Sequence, residues 1–177
     1  MQAEWFECDS ELNHAQAAYL GLLRQRAHDW PLDPVDTSAH LQQARPHKDA
    51  PRHLLVWLDL CDPDEQIGLL TVGAYLQPDR IVGDELHKQL LLLPDSPTPL
   101  RLTAEGDLQT LADATADWFD ALARRPIVRR EWFRRGVLYA QHWMFADTNQ
   151  PLCMSREYKS KLGAPDTVTL VRGSLSG

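Results

Sequence analysis

Residues Leu108 to Phe145 read LQTLADATADWFDALARRPIVRREWFRRGVLYAQHWMF, and this stretch decides the fold. Leu108, Leu111, Thr115, Trp118 and Leu122 recur at helical spacing and predict the buried stripe of a helix over Asp107–Arg124. Asp107 at its start and Arg124-Arg125 at its end complement the helix macrodipole. Pro126 cannot continue the helix, because it lacks the N–H and clashes with the preceding turn. The pattern then changes to period two. Ile127–Arg134 and Val137–Phe145 predict the strands of a hairpin that turns at Arg135-Gly136. A two-residue turn places Arg134 opposite Val137, Trp132 opposite Tyr139, Arg130 opposite Gln141 and Val128 opposite Trp143. The other face then pairs Phe133 with Leu138, Glu131 with Ala140 and Arg129 with His142. One residue of slip would scramble every pair.

Working towards the N-terminus, Ser10 is read as the cap of a first helix over residues 11–28, with Leu12, Ala15, Tyr19, Leu22 and Leu23 on its apolar face. Residues 31–52 are rich in Pro, Asp, Gln and His. They read as a surface connection with a helical turn from Ser38 to Ala44. His53–Leu60 is almost continuously apolar and predicts a central strand buried on both faces. A tight acidic turn leads to a second strand at Gln66–Leu76, and Pro78-Asp79 turns the chain back through Ile81–Val82 and a strand at Leu86–Leu93. Towards the C-terminus, Pro151–Ser155 is a short strand. Residues 156–177 form a tail that either stays mobile or adds Thr167–Val171 as an edge strand.

Strands that follow one another directly, instead of alternating with helices, exclude a doubly wound dinucleotide-binding fold. The expectation is a single α+β domain over residues 1–177. It would hold a mostly antiparallel twisted sheet of about six strands, in the order α-β-β-β-α-β-β-β, with two main helices on one face.

Composition bounds the function. The chain has 177 residues, 44% hydrophobic and 24% charged, with a net charge of −7. That is globular composition, and the apolar runs are too short to span a bilayer. The acidity argues against general nucleic-acid or anionic-membrane binding. Residues 1–100 carry 7 basic and 16 acidic groups, whereas residues 101–177 carry 11 and 9. An N-terminal stretch with Glu4, Glu7, Asp9 and Glu11 does not read as a signal peptide. Three widely spaced cysteines point to the cytoplasm.

No motif carries a reaction. The seven histidines form no HxH, HxxxH or HExxH spacing, no CxxC occurs, and there is no GxSxG, GxGxxG or Walker-type loop. Asp59, Asp62, Asp64 and Glu65 read as an acidic turn, not a cation site. No catalytic residue, metal or cofactor is expected. Two groupings remain. Arg130, Trp132, Arg134, Tyr139 and Trp143 form a candidate partner-binding face. Arg129, Glu131 and His142 form a candidate polar pocket able to do acid–base work.

The segment Leu111–Leu152, with its helix–RRP–VRREW–WMFADT pattern, resembles a set of small actinomycete α+β proteins of uncharacterised function, and the resemblance transfers no activity. The element order is similar to that of type III secretion chaperones, in topology alone. The functional expectation is a non-catalytic cytoplasmic interaction module, such as a chaperone, adaptor or immunity-like protein, that binds a protein partner or itself. The alternative is a small-molecule enzyme or binder with a pocket near His142.

Overall fold

Two antiparallel sheets and two helices make up the computed structural model, which describes residues 4–44, 50–155 and 162–175. The fold class is α+β. The elements run α1 (His14–Ala27), a 3₁₀ turn (Pro34–Asp36), β1 (Thr37–Gln43), β2 (Arg52–Asp62), β3 (Ile67–Leu76), β4 (Arg80–Glu85) and β5 (Leu102–Glu105). They continue with α2 (Leu108–Arg124), β6 (Ile127–Arg134), β7 (Val137–Phe145), β8 (Pro151–Met154) and β9 (Thr167–Arg172). The strands are more numerous than the sequence pattern predicts. They lie in a five-stranded sheet, β1-β2-β3-β4-β5, and a four-stranded sheet, β8-β7-β6-β9. The chain divides into two compact units, Met1–Leu60 with Thr71–Leu122, and Cys61–Leu70 with Ala123–Gly177.

The first unit is held by apolar and aromatic packing. Phe6 stacks on Phe119 with ring centroids 5.8 Å apart, and Trp30 meets both rings edge-on at 5.9 Å. Leu54, Leu55, Val56, Leu58 and Leu60 of β2 are fully buried, including three in succession, as expected for a strand covered on both faces. Tyr19 of α1 donates to Thr115 of α2 at 2.9 Å. Arg26 bridges to Asp113 and Asp117 across the same pair of helices. The close approach of α2 to the sheet requires Gly83, where a Cβ would lie 3.2 Å from the Trp118 ring.

Four local expectations change here. α1 starts after Asn13, not Ser10. Asn13 and Gln16 form a reciprocal capping box, whereas the Ser10 hydroxyl accepts from the Leu41 N–H of β1. The stretch from Ser38 is strand, not helical turn. Seven residues of β1 pair in register with β2, and tertiary pairing overrides a weak local preference. Leu86–Leu93 is not a strand. After Glu85 the chain closes a loop, with Leu91 N–H donating to His87 O and His87 N–H to Leu92 O. In α2, Phe119 is fully buried, whereas Trp118 is half-buried and donates to Leu100 O.

In the second unit, β9 pairs along β6, so Thr167–Arg172 is an edge strand of the four-stranded sheet. Gly173 ends it at φ +72°, where a Cβ would lie 2.6 Å from two carbonyl oxygens at the end of α2. Of the proposed mobile tail, residues 156–161 and 176–177 lie outside the described residues.

Candidate partner-binding surface

The β6–β7 hairpin turns where its sequence predicts. Arg135 and Gly136 both have positive φ, 53° and 78°, which is the type I′ geometry that matches strand twist. Phe133↔Leu138 and Arg134↔Val137 pair as expected. Beyond them the register shifts between Trp132 and Phe133, because Tyr139 is an extra residue on β7. Trp132 therefore faces Ala140, Glu131 faces Gln141, Arg130 faces His142, Arg129 faces Trp143 and Val128 faces Met144. A bulge places two residues against one and exchanges the faces of every residue beyond it.

This exchange rearranges both groupings. Trp143 leaves the aromatic–Arg face and is fully buried beside Arg129. His142 leaves Arg129 and Glu131 and joins Arg130 and Trp132. The Trp132 and His142 rings meet edge-on at 4.9 Å. The polar trio is thus split between opposite sheet faces.

One face contains a buried ionic cluster that centres on Asp62, at the end of β2. One carboxylate oxygen accepts from the Trp143 indole N–H at 2.7 Å and from the Arg129 guanidinium at 2.8 Å. The other accepts the Asp64 and Glu65 backbone N–H groups of the acidic turn. Burial alone would push the Asp62 carboxyl up. The donors from Trp143, the turn and Arg129 outweigh it and hold the group below the usual carboxylate range. Glu131 lies 3.4 Å from Arg129 Nε and accepts from Gln141. Arg172 donates to Cys61 O at the same end of β2. Asp62 has no free lone pair directed outward, so it acts as a lock between the acidic turn and the sheet.

The opposite face carries apolar side chains at the surface. One row across all four strands reads Met154, His142, Arg130 and Val168, and the next row contains Met144 and Val128, both buried, and Leu170. Met154, Val168 and Leu170 are exposed by 48%, 57% and 41%. Arg130 donates to Asn149, and the Trp132 indole to Gly163 O. His142 Nε2 is buried with no hydrogen-bond partner among the described residues, and burial together with Arg130 lowers its pKa. At the hairpin tip, Phe133, Val137 and Leu138 are exposed. The Arg134 guanidinium lies 4.6 Å from the Tyr139 ring centre.

Of the predicted partner-binding residues, Arg130 and Trp132 therefore share the outer face, Arg134 and Tyr139 meet at the tip, and Trp143 is internal. Sequence reasoning missed Met154, Val168 and Leu170, although period two in Thr167–Val171 signalled the last two. It also missed the role of Asp62. Among the described residues, no helix is long and apolar enough to cross a membrane. Comparison with protein-family models, curated proteins and solved structures finds no match to this chain.

Proposed function

We propose that this chain is a non-catalytic protein-interaction module whose docking surface is the outer face and tip of the β8-β7-β6-β9 sheet. One observation carries the reading. Phe133, Val137, Leu138, Met154, Val168 and Leu170, all exposed, belong to this single sheet. Scattered exposed apolar residues need no explanation, but a concentration of them among arginines has the composition of a binding hot spot. Arg130, Arg134 and Arg135 favour a partner with an apolar centre and an acidic rim, and charge complementarity would speed and orient its docking. A second copy of this acidic chain also meets that description.

The test compares the wild-type chain with a Val137→Asp, Val168→Asp double variant. Both changes lie at exposed positions, so circular dichroism should be unchanged. Affinity purification from the native host, with light scattering on the eluate, should give a stoichiometric complex or dimer for the wild type and a bare monomer for the variant. The same bound species on both chains, or a monomeric wild type without partner, contradicts the reading.

A further inference from the structure

A sheet edge exposes a row of backbone N–H and C=O groups with which another strand can pair. Among the described residues the two sheets have four edges, and three of them are short or covered. At β1, Glu7 bridges to Ser38, and the Glu7 carbonyl accepts from the Ala39 N–H at 3.0 Å. β5 and β8 have four residues each, and β8 begins at Pro151, which has no N–H to offer. β9 differs. It has six residues, with no proline or lysine, and Thr167, Val168, Thr169 and Val171 are β-branched. No described strand lies beyond it, and Thr167, Val168 and Leu170 are exposed.

The residues of β9 complement themselves in the antiparallel direction. Regular pairing with β6 runs from Thr167 to Leu170, and the bulge falls beyond it, at Val171. A two-fold axis through Thr169, perpendicular to the sheet, sets Thr169 against Thr169 of a second copy and Val168 against the second copy's Leu170. Hydroxyl with hydroxyl and aliphatic with aliphatic are favourable cross-strand pairs. Directly opposed side chains point to one face, so only a register centred on a residue keeps both outer faces on the same side. The row His142, Arg130, Val168 then runs on into Leu170, Val128 and Met144 of the second copy. The ends match as well. Asp166 is exposed at the start of β9 and Arg172 stands at its end. Antiparallel pairing brings the acidic end of each strand beside the basic end of the other, whereas parallel pairing would bring like charges together.

We infer that β9 pairs with β9 of a second copy of this chain, antiparallel about Thr169, and joins two four-stranded sheets into one of eight. The inference rests on the reading of this sheet as a docking surface and names its occupant. The contact is one strand wide, so the dimer is weak and forms at about 0.1 mM chain.

Sedimentation velocity and amide NMR of the full chain, over a concentration series from about 10 μM to about 1 mM, test the pairing. The wild type should pass from monomer to dimer, with the Val168, Thr169 and Leu170 amides shifting most. That readout does not depend on any variant folding. Val168→Lys puts a charge on the edge and should weaken dimerisation about tenfold or more, whereas Val137→Asp at the hairpin tip should leave it unchanged. On oxidation, Thr169→Cys should give a covalent dimer, because directly opposed residues lie within disulfide reach. Val168→Cys should not, since its counterpart lies diagonally, roughly 7–8 Å away. The wild type, which keeps Cys8, Cys61 and Cys153, is the control. A chain that stays monomeric throughout the series overturns the edge pairing and leaves the docking reading to the host complex. A dimer lost in Val137→Asp but kept in Val168→Lys supports the docking reading and overturns this one. A covalent dimer from Val168→Cys and none from Thr169→Cys overturns the register.

Discussion

The two units differ in how their buried polar groups are satisfied. The first unit buries aromatic rings and leucines, including the Phe6–Trp30–Phe119 cluster and the run Leu54–Val56, and keeps its Arg26 ion pairs in water. The second unit buries a carboxylate and a guanidinium, Asp62 and Arg129, and leaves Val168, Leu170 and Met154 at the surface. Apolar burial is non-directional and tolerates adjustment. A buried ion pair holds only while every partner is in place, because each lone charge is costly. The difference therefore concerns more than composition. It predicts distinct responses to mutation, to acid and to salt.

The largest response should come from Arg129→Met. It leaves the Asp62 carboxylate buried without its cation and is expected to cost about 3–5 kcal/mol. Urea unfolding followed by far-ultraviolet circular dichroism measures this, and a loss below about 1 kcal/mol would show the pair to be dispensable. Phe119→Ala in the first unit should cost a similar amount, about 3–5 kcal/mol, through an aromatic cavity. Its cost should not vary with pH, whereas that of Arg129→Met should shrink in acid as Asp62 protonates. Smaller still is Asn13→Ala, which removes the capping box of α1 and should cost about 1 kcal/mol. Smallest is Arg26→Ala. Its ion pairs to Asp113 and Asp117 are solvent-exposed, so less than about 1 kcal/mol is expected, falling further in high salt.

These contrasts also mark what the sequence could convey. α2 and the hairpin were legible almost to the residue, because Pro126 ends one period and Arg135-Gly136 turns the other. The hairpin register was not legible. The two-residue turn is encoded locally, but the extra residue at Tyr139 is set by pairing across the sheet, and nothing in VLYAQ announces it. That one residue moved Trp143 inward and separated His142 from Glu131. β1 was hidden because TSAHLQQ is polar for a strand. Its polar groups are satisfied by distant ones, such as the Thr37 hydroxyl accepting from Phe6 N–H. Asp62 looked like one acid among four in a turn. Its distinguishing partners, Arg129 and Trp143, lie 67 and 81 residues away.

The pH response follows from the direction of each shift. Asp62 has a folded pKa below its unfolded value, so its contribution is present above about pH 4 and is lost as pH falls through the folded value. His142 is also lowered, and its contribution is present above about pH 6.5 and declines below it. Both act within the second unit and in the same direction. In the first unit Glu85 is raised, so it favours the folded state below its unfolded pKa and loses that contribution as pH rises through its folded value. Asp107 at the start of α2 is lowered by the Thr110 backbone N–H and opposes this effect.

Hydrogen exchange resolved by residue, followed from neutral to acid pH on the native chain, tests the difference most directly. The amides of β6 and β7 should lose protection at a higher pH than those of α1 and β2. If the β2 and α1 amides open first, or all four elements open together at one pH, a polar lock in the second unit is contradicted.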